Sequence, residues 1–103
     1  VGAYDPTYLI RDAAKSVHTV AEDLVTGRAE WDRPRDLARA LESLQQLMDD
    51  LSRVLIQQAG LLPRMTRDSD APKAGQQIAE AAATAAQLSN QLRRAQDATD
   101  GVR

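Results

Sequence analysis

Residues 71 to 102 place a small or apolar residue at nearly every a and d position of a heptad: Ala71, Ala74, Ile78, Ala81, Ala85, Leu88, Leu92, Ala95, Thr99 and Val102. A 3-4 spacing held for that length specifies a helix that packs lengthwise against other helices. Alanine dominates the stripe, so neighbouring backbones can come close while each residue buries little apolar area. A second row, Ala79, Ala82, Ala83 and Ala86, flanks the first and offers another side for contact.

Two further segments carry the same period. Asp5-Pro6 supplies a capping aspartate and a proline at the first helical position, and Ile10, Ala13, Ala14, Val17, Val20, Ala21 and Leu24 then form an amphipathic stripe. Gly27 follows Leu24 and Val25, where a left-handed glycine commonly ends a helix, so the first helix is expected over about 6–27. Asp32 and Pro34 start the second, expected over 33–60. Its a positions are Leu37, Leu44 and Leu51, its d positions Ala40, Leu47 and Val54, and its e positions Leu41, Met48 and Leu55. Gly60 and Pro63 are read as closing it, and Asp49 stands four residues before Arg53 in the favourable helical orientation. Residues 61–70 then form the longer, more polar connection. Asp70 with Pro72 opens the third helix, 71–99, which stops before Gly101.

A short first connection returns the second helix antiparallel to the first. The expected architecture is therefore all-α: an up-down-up antiparallel three-helix bundle forming one domain over 1–103. The first two helices should supply most of the buried area, and the alanine helix the thin wall.

Composition narrows the function classes. Thirteen basic against fifteen acidic residues leave a net charge of −2, unlike a dedicated binder of nucleic acid or anionic membranes. With no cysteine, disulfides, thiolate nucleophiles and cysteine metal sites are excluded. No apolar run approaches the ~20 residues that span a bilayer, and the first residues lack a signal-peptide pattern, so a cytoplasmic location is expected. Arginine outnumbers lysine eleven to two, and alanine is abundant, as in proteins from GC-rich bacterial genomes. Val1 is either a literal reading of a GTG start or a trimmed edge.

Chemistry-bearing constellations are missing. His18 stands alone beside the first stripe, without the Glu-x-x-His pairs of bundle metal sites. Glu22-Asp23 and Asp49-Asp50 are adjacent pairs that point about 100° apart on a helix, so they do not converge on one atom. Phosphate loops, nucleophile elbows and Ser/His/Asp groupings are absent. The chain is expected not to be an enzyme, with no cofactor, no metal and no small-molecule substrate. Its turn reads Trp31-Asp32-Arg33, without the glycine of the Trp-x-Gly turn of secreted helical hairpins, and no helix-turn-helix signature is visible.

Partner-binding candidates remain. Trp31 either folds over the bundle end, covering Leu24, Val25 and the start of the second helix, or anchors a partner. Arg28, Arg33, Arg35 and Arg39 surround it in sequence, and Arg93, Arg94 and Arg103 should reach the same pole, among Glu30, Asp32, Asp36, Asp97 and Asp100. Ile56 lies off the second helix's core stripe and should join Tyr4, Tyr8, Leu9, Leu61, Leu62 and Met65 at the other pole, under the folded loop or as a patch for a partner. Ala79, Ala82 and Ala86 mark where a second subunit's helix could dock. The expectation is a non-catalytic protein–protein interaction or assembly module, its partner another protein or itself, as a homodimer through helix 71–99. An accessory nucleic-acid-associated protein using the arginine-rich end is the alternative. A ligand-binding bundle with a cavity beside the alanine helix is a third.

Overall fold

The computed structural model describes residues 2–102; Val1 and Arg103, named above for the chain start and the arginine pole, lie outside the described residues. The all-α class and the order of three helices hold, with no strand among the described residues. The helices are α1 (Thr7–Val25), α2 (Pro34–Met65) and α3 (Ala71–Asp100). The chain divides into two units, 1–32 and 33–103.

The first unit is α1 with its flanks. The Asp5 carboxylate accepts the Thr7 N–H at 3.0 Å and the Thr7 hydroxyl at 2.7 Å, tying down an amide that has no partner within the helix. At the other end Gly27 adopts φ +79°, its N–H donates to the Leu24 carbonyl at 3.4 Å, and the Arg28 N–H donates to the Asp23 carbonyl at 2.8 Å. That pair of bonds is a Schellman stop, which needs the left-handed residue that glycine supplies without strain. No residue of α1 is buried, its apolar stripe included.

The second unit is an antiparallel hairpin of α2 and α3. Gln45 lies opposite Ser89, Ser52 opposite Ala82, and Ala59 opposite Gly75, so both helices advance one heptad between each pair. The seam on α2 runs Ala38, Leu41, Gln45, Met48, Ser52, Leu55, Ala59, Leu62. On α3 it runs Ala71, Gly75, Ile78, Ala82, Ala85, Ser89, Leu92, Gln96, Thr99. Both are heptad rows, and the fully buried members are all small: Ala38, Ser52, Ala71, Gly75, Ala82, Ala85 and Ser89.

Two polar pins hold this seam in register. The Ser52 hydroxyl donates to the Ala82 carbonyl at 2.9 Å, and Gln45 Nε2 donates to Ser89 Oγ at 3.0 Å, with Ser89 Oγ donating back to the Gln45 carbonyl at 3.3 Å. Among the described residues, no buried side-chain nitrogen or oxygen lacks a partner. A hydroxyl in a narrow seam is tolerated only when it is bonded, so sliding one helix by a turn would break both pins at once.

Three expectations need correction. First, α2 does not close at Gly60; it runs on through Pro63 to Met65, and only Thr66 is extended. Gly60 keeps a helical φ, and Ala59 and Leu62 are half-buried, so packing carries the helix past a weak helix former. Pro63 cannot donate to the Ala59 carbonyl. That carbonyl instead faces Gly75, where a Cβ would stand 3.0 Å away. The connection is thereby reduced to Thr66–Asp70. Within it the Asp68 N–H donates to Thr66 Oγ1 and the Asp70 N–H to Asp68 Oδ1, so Asp70 does not cap α3 with its own carboxylate. Likewise Asp32 does not cap α2, whose N-cap is Arg33.

Second, the α3 seam pairs the a row with the e row of Gly75, Ala82 and Ser89, and not with Ala74, Ala81, Leu88 and Ala95, which are exposed. Third, on α2 only the e row of the leucine stripe faces α3. Small residues win the seam because they let the backbones close on each other, which leaves no room for the a and d leucines.

Candidate functional site

The displaced leucines form an exposed apolar row along the hairpin. Leu37, Leu44, Leu47, Leu51 and Val54 are each 36–40 % exposed, and Leu61 is exposed beyond them. All sit at a or d of α2, the a row about 70° and the d row about 130° round the helix from the seam's centre. The exposed α3 row Ala74, Ala81, Leu88 and Ala95 is about a quarter-turn from its seam. Two right-handed helices running antiparallel bring these rows to the same side. One face of the hairpin is therefore apolar along its length, rich in leucine on α2 and in alanine on α3.

Its borders are lightly charged. On α2 the flanking g positions are Asp36, Ser43, Asp50, Gln57 and Arg64; on α3 they are Gln77, Thr84, Gln91 and Ala98. Asp50 is 3.2 Å from Arg53, which also binds Asp49 at 2.8 Å in the i,i+4 pair expected from the sequence. Those two carboxylates, Asp49 foremost, hold the Arg53 guanidinium above its usual pKa. All three groups are solvated, so the cluster sets local charge more than stability.

The other residues singled out in the sequence fall in separate places. Ile56 is exposed and lies on the side of the hairpin opposite the leucine face, the side that also carries exposed Ala79 and half-buried Ala86. Ala82 is a correction: it is 2 % exposed, its carbonyl bonded by Ser52, and is spent within the hairpin instead of facing a partner. The alanine row is thus split between the seam and the far side.

Trp31 is exposed, and Val25, which it would cover on the first of its two readings, is 85 % exposed. Arg28 is exposed. Arg33 binds Asp36 through Nε at 3.1 Å, which takes one arginine of the cluster into an ion pair. Arg35 and Arg39, on the first turns of α2, share their end of the hairpin with Arg93, Arg94, Asp97 and Asp100 of α3. In the first unit, Arg11 sits over the Tyr8 ring at 5.3 Å, and Tyr4, Tyr8 and Leu9 are all exposed. Leu61 and Met65 are exposed on α2, so the short connection does not cover them.

Concave and ionic features are slight. A shallow, open hollow under the α2–α3 connection is lined by Leu62, Thr66, Asp68, Asp70, Ala71 and Ala74, and Asp68 there already accepts a backbone bond. Among the described residues, no group of three or more His, Cys, Asp or Glu side chains is placed to hold a metal ion. Among the described residues, no helix is long and apolar enough to cross a membrane.

The sequence points to the alanine helix as a docking side and does not by itself single out the exposed leucine face of α2. One signal could have found it. Ser52 and Ser89 sit at heptad positions amid apolar rows, and paired small polar residues mark the closest approach of two helices. No family model, no curated protein and no solved structure matches the chain.

Proposed function

We propose that this protein is a non-catalytic interaction module that presents the leucine face of the α2–α3 hairpin to a protein partner. The observation that carries the reading is that face. Five large apolar side chains stand in heptad register on one helix and are more than a third exposed, while the hairpin's own seam is completed by smaller residues. A contiguous, periodic apolar surface of this length is what a helix-in-groove or helix-on-helix contact uses.

Trp31 and Arg28 sit outside the hairpin unit and form a separate exposed anchor for the same kind of partner. Nucleic-acid binding through the arginine end is the weaker reading, since Arg33 is paired and Asp97 and Asp100 share that end. A cysteine-free chain rich in arginine and alanine fits a bacterial cytoplasmic setting, which we adopt.

Affinity capture from the native host tests the reading. The wild-type chain should retain a defined set of proteins, and Leu47→Glu with Leu51→Glu should lose it while helicity by circular dichroism is kept. Capture unaffected by that double substitution would remove the leucine face as the site.

A further inference from the structure

Resting on the interaction reading above, we infer that the partner of the leucine face is a second copy of this chain, with two α2–α3 hairpins packed face to face as an antiparallel four-helix bundle. This moves self-association from the alanine row of α3 to the a and d rows of α2.

The area suits such a pair. From Leu37 to Leu61 the face is about 36 Å long at 1.5 Å per residue, and two helices packed 8–10 Å apart make it roughly 20 Å wide. Each copy thus offers about 700 Å², close to the ~800 Å² per partner of a stable protein–protein interface.

The border charges suit an antiparallel arrangement in particular. Asp36 and Arg64 lie at opposite ends of the same α2 edge, with Asp50 midway between them. A two-fold axis across α2 near residue 50 brings Asp36 of one copy, which also binds its own Arg33 at 3.1 Å, beside Arg64 of the partner subunit, and the same contact repeats by symmetry. Asp50 falls near the axis, where its like charge opposes the pairing; the Arg53 guanidinium 3.2 Å away, shared with Asp49, offsets that charge in part. The α3 border adds no charge of either sign between Gln77 and Ala98. Leu47 and Leu51 fall at the centre of the contact, where complete desolvation counts most.

Sedimentation velocity on the full chain at tens of micromolar tests the inference. The expected species has about twice the 11.2 kDa chain mass. Leu47→Glu with Leu51→Glu should convert it to monomer with unchanged helicity, whereas Ile56→Glu with Ala79→Glu, on the other side of the hairpin, should leave the dimer intact. A wild-type chain that sediments only as monomer overturns self-pairing and hands the face to another occupant, a foreign helix or the chain's own α1. A dimer lost in the Ile56/Ala79 variant and kept in the leucine variant overturns the choice of face. The monomer result leaves the broader interaction reading to the capture experiment, whereas the second result also counts against the leucine face in that reading.

Discussion

Gly60 and Gly75 make a matched pair for measuring how tightly α2 and α3 approach. Both sit inside helices with ordinary negative φ, so replacing either with alanine brings the same intrinsic gain, about 1 kcal/mol of helix propensity. Their surroundings differ. A Cβ at Gly60 meets nothing within 4 Å, whereas a Cβ at Gly75 stands 3.0 Å from the Ala59 carbonyl oxygen and 3.5 Å from the Pro63 ring. The obstacle is backbone, made less yielding by proline, so the helices must separate locally, at an overpacking cost of about 1–3 kcal/mol. Gly60→Ala should therefore stabilise by up to about 1 kcal/mol, and Gly75→Ala should come out between neutral and about 2 kcal/mol destabilising. For a domain of this size each kcal/mol moves Tm by roughly 4–8 °C, well within reach of thermal unfolding followed at 222 nm. Chemical denaturation with a shared m-value would give the same ordering. Equal stabilisation by the two substitutions would refute the close approach at Gly75, and with it the small-residue account of the seam.

Removing the Ser52 hydroxyl takes away a buried bond to the Ala82 carbonyl, so Ser52→Ala should cost about 1 kcal/mol, and Ser52→Leu should cost about 1–3 kcal/mol by forcing the seam apart; a Leu variant as stable as wild type would contradict the burial of this position. Asp5 is held below the usual carboxylate range by its bonds to Thr7, chiefly the hydroxyl bond. A lowered folded pKa means the first turn of α1 gains from the ionised form above the ordinary value of about 3.9 and loses that gain as pH falls through the lowered value. The Thr7 amide resonance should then titrate with a midpoint below about 3.9, and a midpoint at or above that value would deny the contact. Arg33→Ala with Arg35→Ala should leave retention on heparin at low salt unchanged, because Arg33 is engaged by Asp36 and acidic residues share the end; a clear loss of retention would revive the nucleic-acid reading.

How much was legible in the sequence can be seen at particular residues. Gly27 was recognisable as a helix stop because a left-handed φ is a local demand that glycine meets and other residues resist. The Asp49–Arg53 pair was equally local. Gly60 and Pro63 misled, since the helix runs on through both to Met65, with Ala59 and Leu62 half-buried along that stretch. The arginine end, Ile56 and the alanine row could be named from spacing alone. Whether they stood together could not, because that depends on how far each helix is rotated about its own axis.

The amino-acid sequence by itself determined the all-α class, three helices and an antiparallel return between the second and third, since heptad period and chain punctuation act within a few residues of where they are written. Which face of each helix enters the seam was decided only by the tertiary structure. An amphipathic stripe as wide as that of α2 can be rotated by a quarter-turn and still bury apolar area. Ser52, Gly75, Ala82 and Ser89 settle the choice by allowing the two backbones to close and bond across the gap. That rotation turns the small residues inward and leaves the leucines of α2 facing out.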